Sequence, residues 1–457
     1  MKQNTFSDII SRVNLIAVID HSGRAGNVFF LTIFDQHPEV ICCPWIHYIY
    51  SYVITNFGDK ERLDSKIAHD FAIKSTYFKY VYNDLDDQLS FDLYKIGADI
   101  NSIVDRKTVR QVFDEYVLEL PTITRKKLIL LMYLSFAMGI NKDISKVKYI
   151  VVSDAPSLRT ENVLTGFSGI TITAMKNDYD NAKLISLVRD PRANFASNRH
   201  QFINSFGNMY DIKLGNYFKQ FYLLITRKFR MNYGCVFLFW LCYFSSTART
   251  IFDLKIRFRN NFITIKNESL NLNFINTISS IIDWLDIKFI EEWNNTNYHP
   301  TMVGMPWAGN GAYNNRYQKV LNGPLSNDPL EISVKVTGPN KYVTERWKKK
   351  MSDNEIYVIE KLFYQEMIEL KYDFMFYKAE DSYGRFVFEL FKPFVGEIPR
   401  LSWIKNGKST GMKEVFNRIF YSISFIPFYI SSRIILMNLI SHNFFTNKNI
   451  NKFNEVS

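Results

Sequence analysis

Two short segments, Arg24-Ala25-Gly26-Asn27 and Arg189-Asp190-Pro191-Arg192, lie 165 residues apart and have the residue types of anion-binding turns. Each follows an apolar run, Asn14–Ile19 in the first case and Lys183–Val188 in the second, and each leads into a helical pattern. A strand that turns tightly into a helix aims backbone N–H groups and the positive end of the helix dipole at one point, where a phosphate is stabilised. In the first turn, Gly23 and Gly26 permit the positive φ needed for tight curvature, and Arg24 between them supplies charge. Asn27 is placed to cap or begin the helix, with Val28 after it. In the second turn, Asp190 suits the N-cap and Pro191 the first helical position, which accounts for both without any function. Arg189, at the last strand position, is left to grip a phosphate bidentately, and the Ser197 hydroxyl eight residues on can donate to the same group. Two such turns on one sheet would hold a ligand with a phosphate at each end.

The first turn is not a nucleoside-triphosphate loop. That pattern requires Gly-x-x-x-x-Gly-Lys-Ser/Thr, whereas Gly26 is followed by Asn27, Val28 and Phe29. Both the phosphate lysine and the hydroxyl ligand to Mg²⁺ are missing.

The elements that must position these turns follow from hydrophobic period. Residues 1–45 read as strand, glycine turn and helix, ending at Pro44; residues 46–150 are mostly helical, with a helix from Pro121 through the apolar run Leu128–Met138. Lys148–Val152 and Lys183–Val188 read as strands, Phe258–Lys266 as a third, and Phe274–Ile287 as a helix. Residues 294–345, rich in Asn, Gly and Pro, read as a long loop, and a loop of that length in a compact domain is usually functional. Lys348–Tyr372 reads as a charged amphipathic helical region. The order predicts an α/β protein with a parallel sheet and right-handed crossovers, ligands binding beyond the carboxyl ends of the strands. No internal repeat is evident.

The chain has 457 residues, 47% of them hydrophobic and 22% charged, enough for a large core and too apolar for general disorder. Its net charge of +11 fits an anionic ligand, a membrane surface or plain Lys bias in an AT-rich genome, and does not choose among them. Cys42, Cys43, Cys235 and Cys242 have neither zinc-site nor disulfide-framework spacing, so no metal is expected and a reducing compartment is. Lys2, Asp8 and Arg12 interrupt the N-terminus, and no signal peptide is expected. Ile419–Ile440 is apolar but broken by Pro427 and Arg433. It reads as amphipathic, either packed on the body or lying on a membrane surface with Lys413, Arg418 and Arg433 as its cations.

Taken together, these residues resemble the sulfotransferases that use 3′-phosphoadenosine 5′-phosphosulfate (PAPS). Arg24–Val28 is similar to the family's 5′-phosphosulfate loop, usually Lys/Arg-Ser-Gly-Thr-Thr, and Phe34-Asp35-Gln36-His37-Pro38-Glu39 to the helix end of bacterial and Golgi members. Leu187–Ser197 resembles the 3′-phosphate motif with its Arg and Ser eight residues apart. Ile263–Leu270 resembles a later strand, Pro306-Trp307-Ala308-Gly309-Asn310 a Trp-x-Gly-Asn loop, and Arg346-Trp347 the start of a late helix. The chain departs from the pattern at Ala25, which replaces Ser, and at Asn27 and Val28, which replace two hydroxyl residues.

The resemblance implies a P-loop-like α/β domain over residues 1–375, with helical insertions at 46–147 and 204–250, and an amphipathic helical extension at 376–457. It implies sulfuryl transfer from PAPS to a hydroxyl or amine, the acceptor expected to be a carbohydrate or lipid-linked glycan and not a nucleic acid. Gly23, Arg24, Ala25, Gly26, Asn27 and Val28 would face the 5′-phosphosulfate, Arg189 and Ser197 the 3′-phosphate, and Gly309 and Asn310 a closing loop. Arg24 would act by charge, since an arginine gives up no proton. The family's base is a His or carboxylate near a turn that here reads Ser153-Asp154-Ala155-Pro156, so Asp154 is the first candidate and Glu161 the second. Asp154 serves equally as a cap or turn residue, and His21, His47 and His200 are nearby alternatives with packing roles. The expected location is the cytoplasm or the inner membrane face, with peripheral contact through the C-terminal helices. The competing readings are a divergent nucleotide-dependent kinase and a non-catalytic relative that only binds.

Overall fold

The computed structural model describes residues 3–20, 24–75, 78–87, 89–90, 93, 98, 103–154, 170–206, 222, 254–256, 258–295, 298–307, 309, 338–395, 397 and 412–441. Helix α1 (Gln3–Arg12), which the sequence does not announce, leads into strand β1 (Asn14–Asp20), helix α2 (Asn27–Ile33) and strand β2 (Val40–His47). A helical layer follows: α3 (Ile49–Phe57), a short strand β3 (Arg62–Asp64), α4 (Ser65–Lys74), α5 (Lys79–Tyr82), α6 (Arg106–Val117), a second short strand β4 (Thr122–Thr124) and α7 (Arg125–Gly139). The chain then alternates through β5 (Tyr149–Asp154), α8 (Ile170–Asp178), β6 (Lys183–Val188), α9 (Pro191–Phe206), β7 (Phe262–Lys266), α10 (Asn267–Leu272) and α11 (Phe274–Leu285). Last come the hairpin β8 (Thr301–Met302)–β9 (Met305–Pro306) and helices α12 (Lys341–Glu345), α13 (Asp353–Leu362), α14 (Tyr364–Glu369), α15 (Tyr383–Leu390) and α16 (Met412–Ser441).

The central sheet has five parallel strands in the order β2-β5-β1-β6-β7. Helices cover it, so β1, β5 and β6 are buried on both faces and read as nearly unbroken apolar runs. This is the P-loop-like α/β architecture expected. From β1 the chain leaves toward β2, and from β6 it leaves toward β7. The two neighbours therefore part in opposite directions, and a crevice opens between their carboxyl ends.

Two elements differ from the sequence reading. Pro44 lies inside a strand and does not end the segment: β2 is an edge strand with a register shift between Cys42 and His47, the setting in which a residue without N–H is tolerated. The expected helical stretch 46–150 contains the antiparallel ribbon β3–β4, whose ends cap the helices that follow. Asp64 accepts from the Ile67 N–H and Thr124 from the Lys127 N–H. Most of the second expected insertion, 204–250, lies outside the described residues.

Among the described residues, most buried apolar side chains fall into two clusters. The larger joins both faces of the sheet to the helical layer, and α7 is buried almost all round within it. The smaller joins Ala193, Phe195 and Ala196 of α9 to Trp347, to α13 and α15, and to Phe428 of α16. It runs across residue 375, so the C-terminal helices share a core with the segments before them. Arg433 of α16, expected as a surface cation, is fully buried. It makes a two-pronged ion pair with Glu397 at 2.6 and 3.0 Å and lies over the rings of Phe394 and Tyr429. Among the described residues no helix is long and apolar enough to cross a membrane.

Candidate functional site

The first turn is made by two positive φ angles, 62° at Arg24 and 101° at Gly26, with buried Ala25 between them. Gly26 is required twice over. Its conformation is rare for a residue with a side chain, and a Cβ there would stand 2.0 Å from Nδ2 of Asn267. That Asn267 amide, the first residue of α10, donates to the Ala25 carbonyl at 2.9 Å and so ties the turn to the end of β7.

Because β1 and β6 are neighbours, their two corners meet. Arg24 Nε donates to Ser197 Oγ at 3.2 Å, and Arg189 Nη1 donates to the Arg24 carbonyl at 3.0 Å. Arg189 Nη2 donates to the Val343 carbonyl of α12 at 2.9 Å. Arg189 and Ser197 are both buried, and Arg24 is half-buried. The expected pair Arg189–Ser197 thus encloses Arg24: Ser197 meets its side chain and Arg189 its main chain. Asn27 is also buried. Its Nδ2 donates to Ser153 Oγ at the end of β5, while its Oδ1 has no hydrogen-bond partner. Val28 packs partly buried against the main core.

Behind the second turn, Asp190 accepts from the N–H, Nε and Nη2 of Arg192, the last at 2.7 Å. Arg192 Nη1 also reaches Glu360 at 2.6 Å, and its guanidinium lies 4.5 Å over the Trp347 ring. Arg192 is therefore occupied within the structure and positions the corner. The Asp190 N–H donates to Glu268 of α10 at 3.0 Å, and the Tyr372 hydroxyl donates to the other Glu268 oxygen at 2.9 Å. Burial, reinforced by the nearby Asp190, holds the Glu268 carboxyl above its ordinary range.

Asp154, at the end of β5, is wholly buried. One oxygen accepts from the Ser51 N–H at 3.0 Å and the other from the Ser51 hydroxyl, so the carboxylate caps the first turn of α3. The hairpin β8–β9 is pinned to the far end of α2. Asp35 accepts from Thr301 Oγ1 at 2.9 Å and from the Gly304 N–H at 2.8 Å. Trp307 stacks on Phe29 of α2 with centroids 5.9 Å apart, and Gly309 follows at φ 82°. Gly23, Glu161, Asn310 and His21 lie outside the described residues, as do the side chains of His47 and His200.

The structure thus gathers Arg24, Ala25, Gly26, Asn27, Arg189 and Ser197 where the corners after β1 and β6 meet. Sequence reasoning missed Asn267 and the Val343 carbonyl. A signal existed for the first: Lys266–Asn267 is a third strand-to-helix corner, and the strand reading ends at its first residue. Nothing in the sequence marks Val343.

No family model matches the chain, and no curated protein is significantly similar to it. Among solved structures it is similar to the sulfotransferase domain from the curacin biosynthetic pathway, at 11% identity and a TM-score of 0.42, over 79% of this chain and 99% of that one. It is also similar to the sulfotransferase domain from the Synechococcus PCC 7002 olefin synthase, at 15% identity and a TM-score of 0.39, over 79% of this chain and 96% of that one. At those values neither likeness assigns a role to a residue.

Proposed function

We propose that the chain is a sulfotransferase that takes PAPS in the crevice between β1 and β6 and passes its sulfuryl group to a hydroxyl or amine of a carbohydrate or lipid-linked acceptor. The observation that carries this reading is the 3.2 Å hydrogen bond between Arg24 and Ser197, which brings two corners 173 residues apart to one point. The groups assembled there suit a dianion: two guanidiniums, which only donate, and a hydroxyl. PAPS, when bound, supplies the sulfuryl group and a nucleoside bisphosphate as the leaving group.

In this reading Arg189 and Ser197 anchor the 3′-phosphate. Arg189 exchanges the Arg24 and Val343 carbonyls for phosphate oxygens. Arg24, with Gly23, Ala25, Gly26, Asn27 and Val28, faces the phosphosulfate and stabilises charge on the departing phosphate. Anchoring at the distant phosphate fixes the reacting sulfur in place. Asp154 takes the acceptor proton by exchanging a Ser51 bond for the acceptor, with Glu161 as the alternative. Gly309 and Asn310 belong to a loop that closes over the nucleotide and excludes water. The protein works in the cytoplasm or at the inner membrane face.

Calorimetric titration with adenosine 3′,5′-bisphosphate tests the reading. The wild type should bind, and Arg189→Ala should bind about 10- to 150-fold more weakly, the equivalent of about 1.5–3 kcal/mol for a hydrogen bond to a charged group. Equal affinity would remove Arg189 from the site, and no binding by the wild type at millimolar ligand would remove the nucleotide. A second reading, a protein that binds the nucleotide without turnover, is favoured by Asp154, whose two oxygens are already committed to Ser51. Sulfate transfer from labelled PAPS to any acceptor excludes it.

A further inference from the structure

Helix α16 presents a stripe of apolar side chains that nothing else in the described structure covers. Met412, Phe416, Ile419, Ile423, Ile426, Ile430 and Ile434 are between 38 and 77% exposed. Their spacing is 4-3-4-3-4-4. At 3.6 residues per turn they fall within an arc of about 80°. Ser424, Phe428 and Ser432 lie on the opposite side of the helix and are buried, as is Arg433 at the flank of the stripe. Helix α16 is therefore anchored on one side and bare on the other. Beside it, Phe388, Phe391 and Val395 are also exposed, and their segment is tied to α16 where the Phe391 carbonyl accepts from the Tyr429 hydroxyl.

The shape of the stripe decides among occupants. A helix lying on a membrane needs a broad apolar face with cations along its polar side. Here the seam is narrow and its spacings, all three or four residues, average about 3.7, close to the 11-residue repeat by which helices also pack on one another. One of the helix's three cations, Arg433, is spent on Glu397 inside the body. At about 25 cal/mol per Å², an isoleucine-sized side chain carries about 120 Å² of apolar area. Seven of them at these exposures, with Phe388, Phe391 and Val395, offer about 700 Å² on one copy, close to the roughly 800 Å² each partner contributes to a stable interface.

We propose that this face is the contact between two copies of the chain, their α16 helices crossing near Ile423 and Ile426. An isologous contact of this kind needs only one self-complementary stripe. Pro427 removes one helical hydrogen bond in mid-seam, so the contact is centred on the half that precedes it.

Sedimentation of the full chain at tens of micromolar tests the proposal. The wild type should have twice the chain mass. Ile423→Glu combined with Ile426→Glu should give the monomer, with an unchanged circular dichroism spectrum because both positions are already solvated. Ile67→Glu, at another exposed isoleucine, should leave the dimer intact. A dimer that survives the double substitution overturns the proposal, and so does a monomeric wild type. In the latter case flotation with anionic phosphatidylglycerol vesicles tells which occupant replaces it. Binding makes the stripe a membrane face, and no binding means the chain's own residues cover it.

Discussion

Gly26 and Asn267 show how far a spacing argument reaches. The turn's need for a glycine was legible, because a tight strand-to-helix turn calls for a positive φ, which glycine adopts without strain. The closeness of Asn267 was not, since it depends on β7 ending beside β6, a contact 242 residues away in the chain. Both constraints fall on one residue, so Gly26→Ala should cost about 2–3 kcal/mol: a strained positive φ plus the loss of the Asn267–Ala25 hydrogen bond. A urea midpoint equal to that of the wild type would refute this. Arg189 was singled out by its place at the end of a strand and Ser197 by lying about two helical turns further on, the spacing of the two being that of the motif the chain resembles. That Arg24 would stand between them was invisible, since it follows from the pairing of β1 with β6.

At the scale of elements, strands were read most accurately where they are buried on both faces. β6 has the bounds of its apolar run, and α9 begins at the proline that marks it. Three-residue strands such as β3 and β4 carry no periodic signal and were absorbed into helices. The helical region expected over Lys348–Tyr372 holds two helices, α13 and α14, and nothing at Phe363 or Tyr364 marks the break between them. Element junctions here rest on buried charges. Glu360 of α13 accepts from Arg192 of α9 and from the N–H groups of Met375, Phe376 and Tyr377. It is fully buried, so Glu360→Ala leaves three donors and a guanidinium short of an acceptor. The expected loss is about 3–5 kcal/mol, the range for breaking a buried pair from one side. The same urea titration reads it, and a loss under about 1 kcal/mol would show that these elements do not depend on Glu360.

For the molecule as a whole, acid sensitivity should come in part from His37. Its Nδ1 accepts from the Glu39 N–H at 3.2 Å, and its Nε2 stands 2.6 Å from the Lys288 carbonyl, to which it donates as the neutral imidazole. The ring stacks on Trp293 and is buried, and burial holds its pKa below the ordinary value of about 6.5. The unfolded chain therefore takes up this proton more readily than the folded one. The contribution is constant above about pH 6.5 and is lost as pH falls below it, with a slope of at most about 1.4 kcal/mol per unit. Urea midpoints between pH 7.5 and 5 should fall less steeply in His37→Gln than in the wild type, and parallel curves would clear His37 of the effect. The parallel sheet was legible at this scale from the alternation of runs, but its fifth strand was lost to Pro44. That residue has a consequence of its own. An outermost strand with an imino acid in it, and a slipped ladder around that point, is a poor template for recruiting another chain. The sheet is thereby shielded on that flank from growing sideways into fibrils, even when the protein is concentrated.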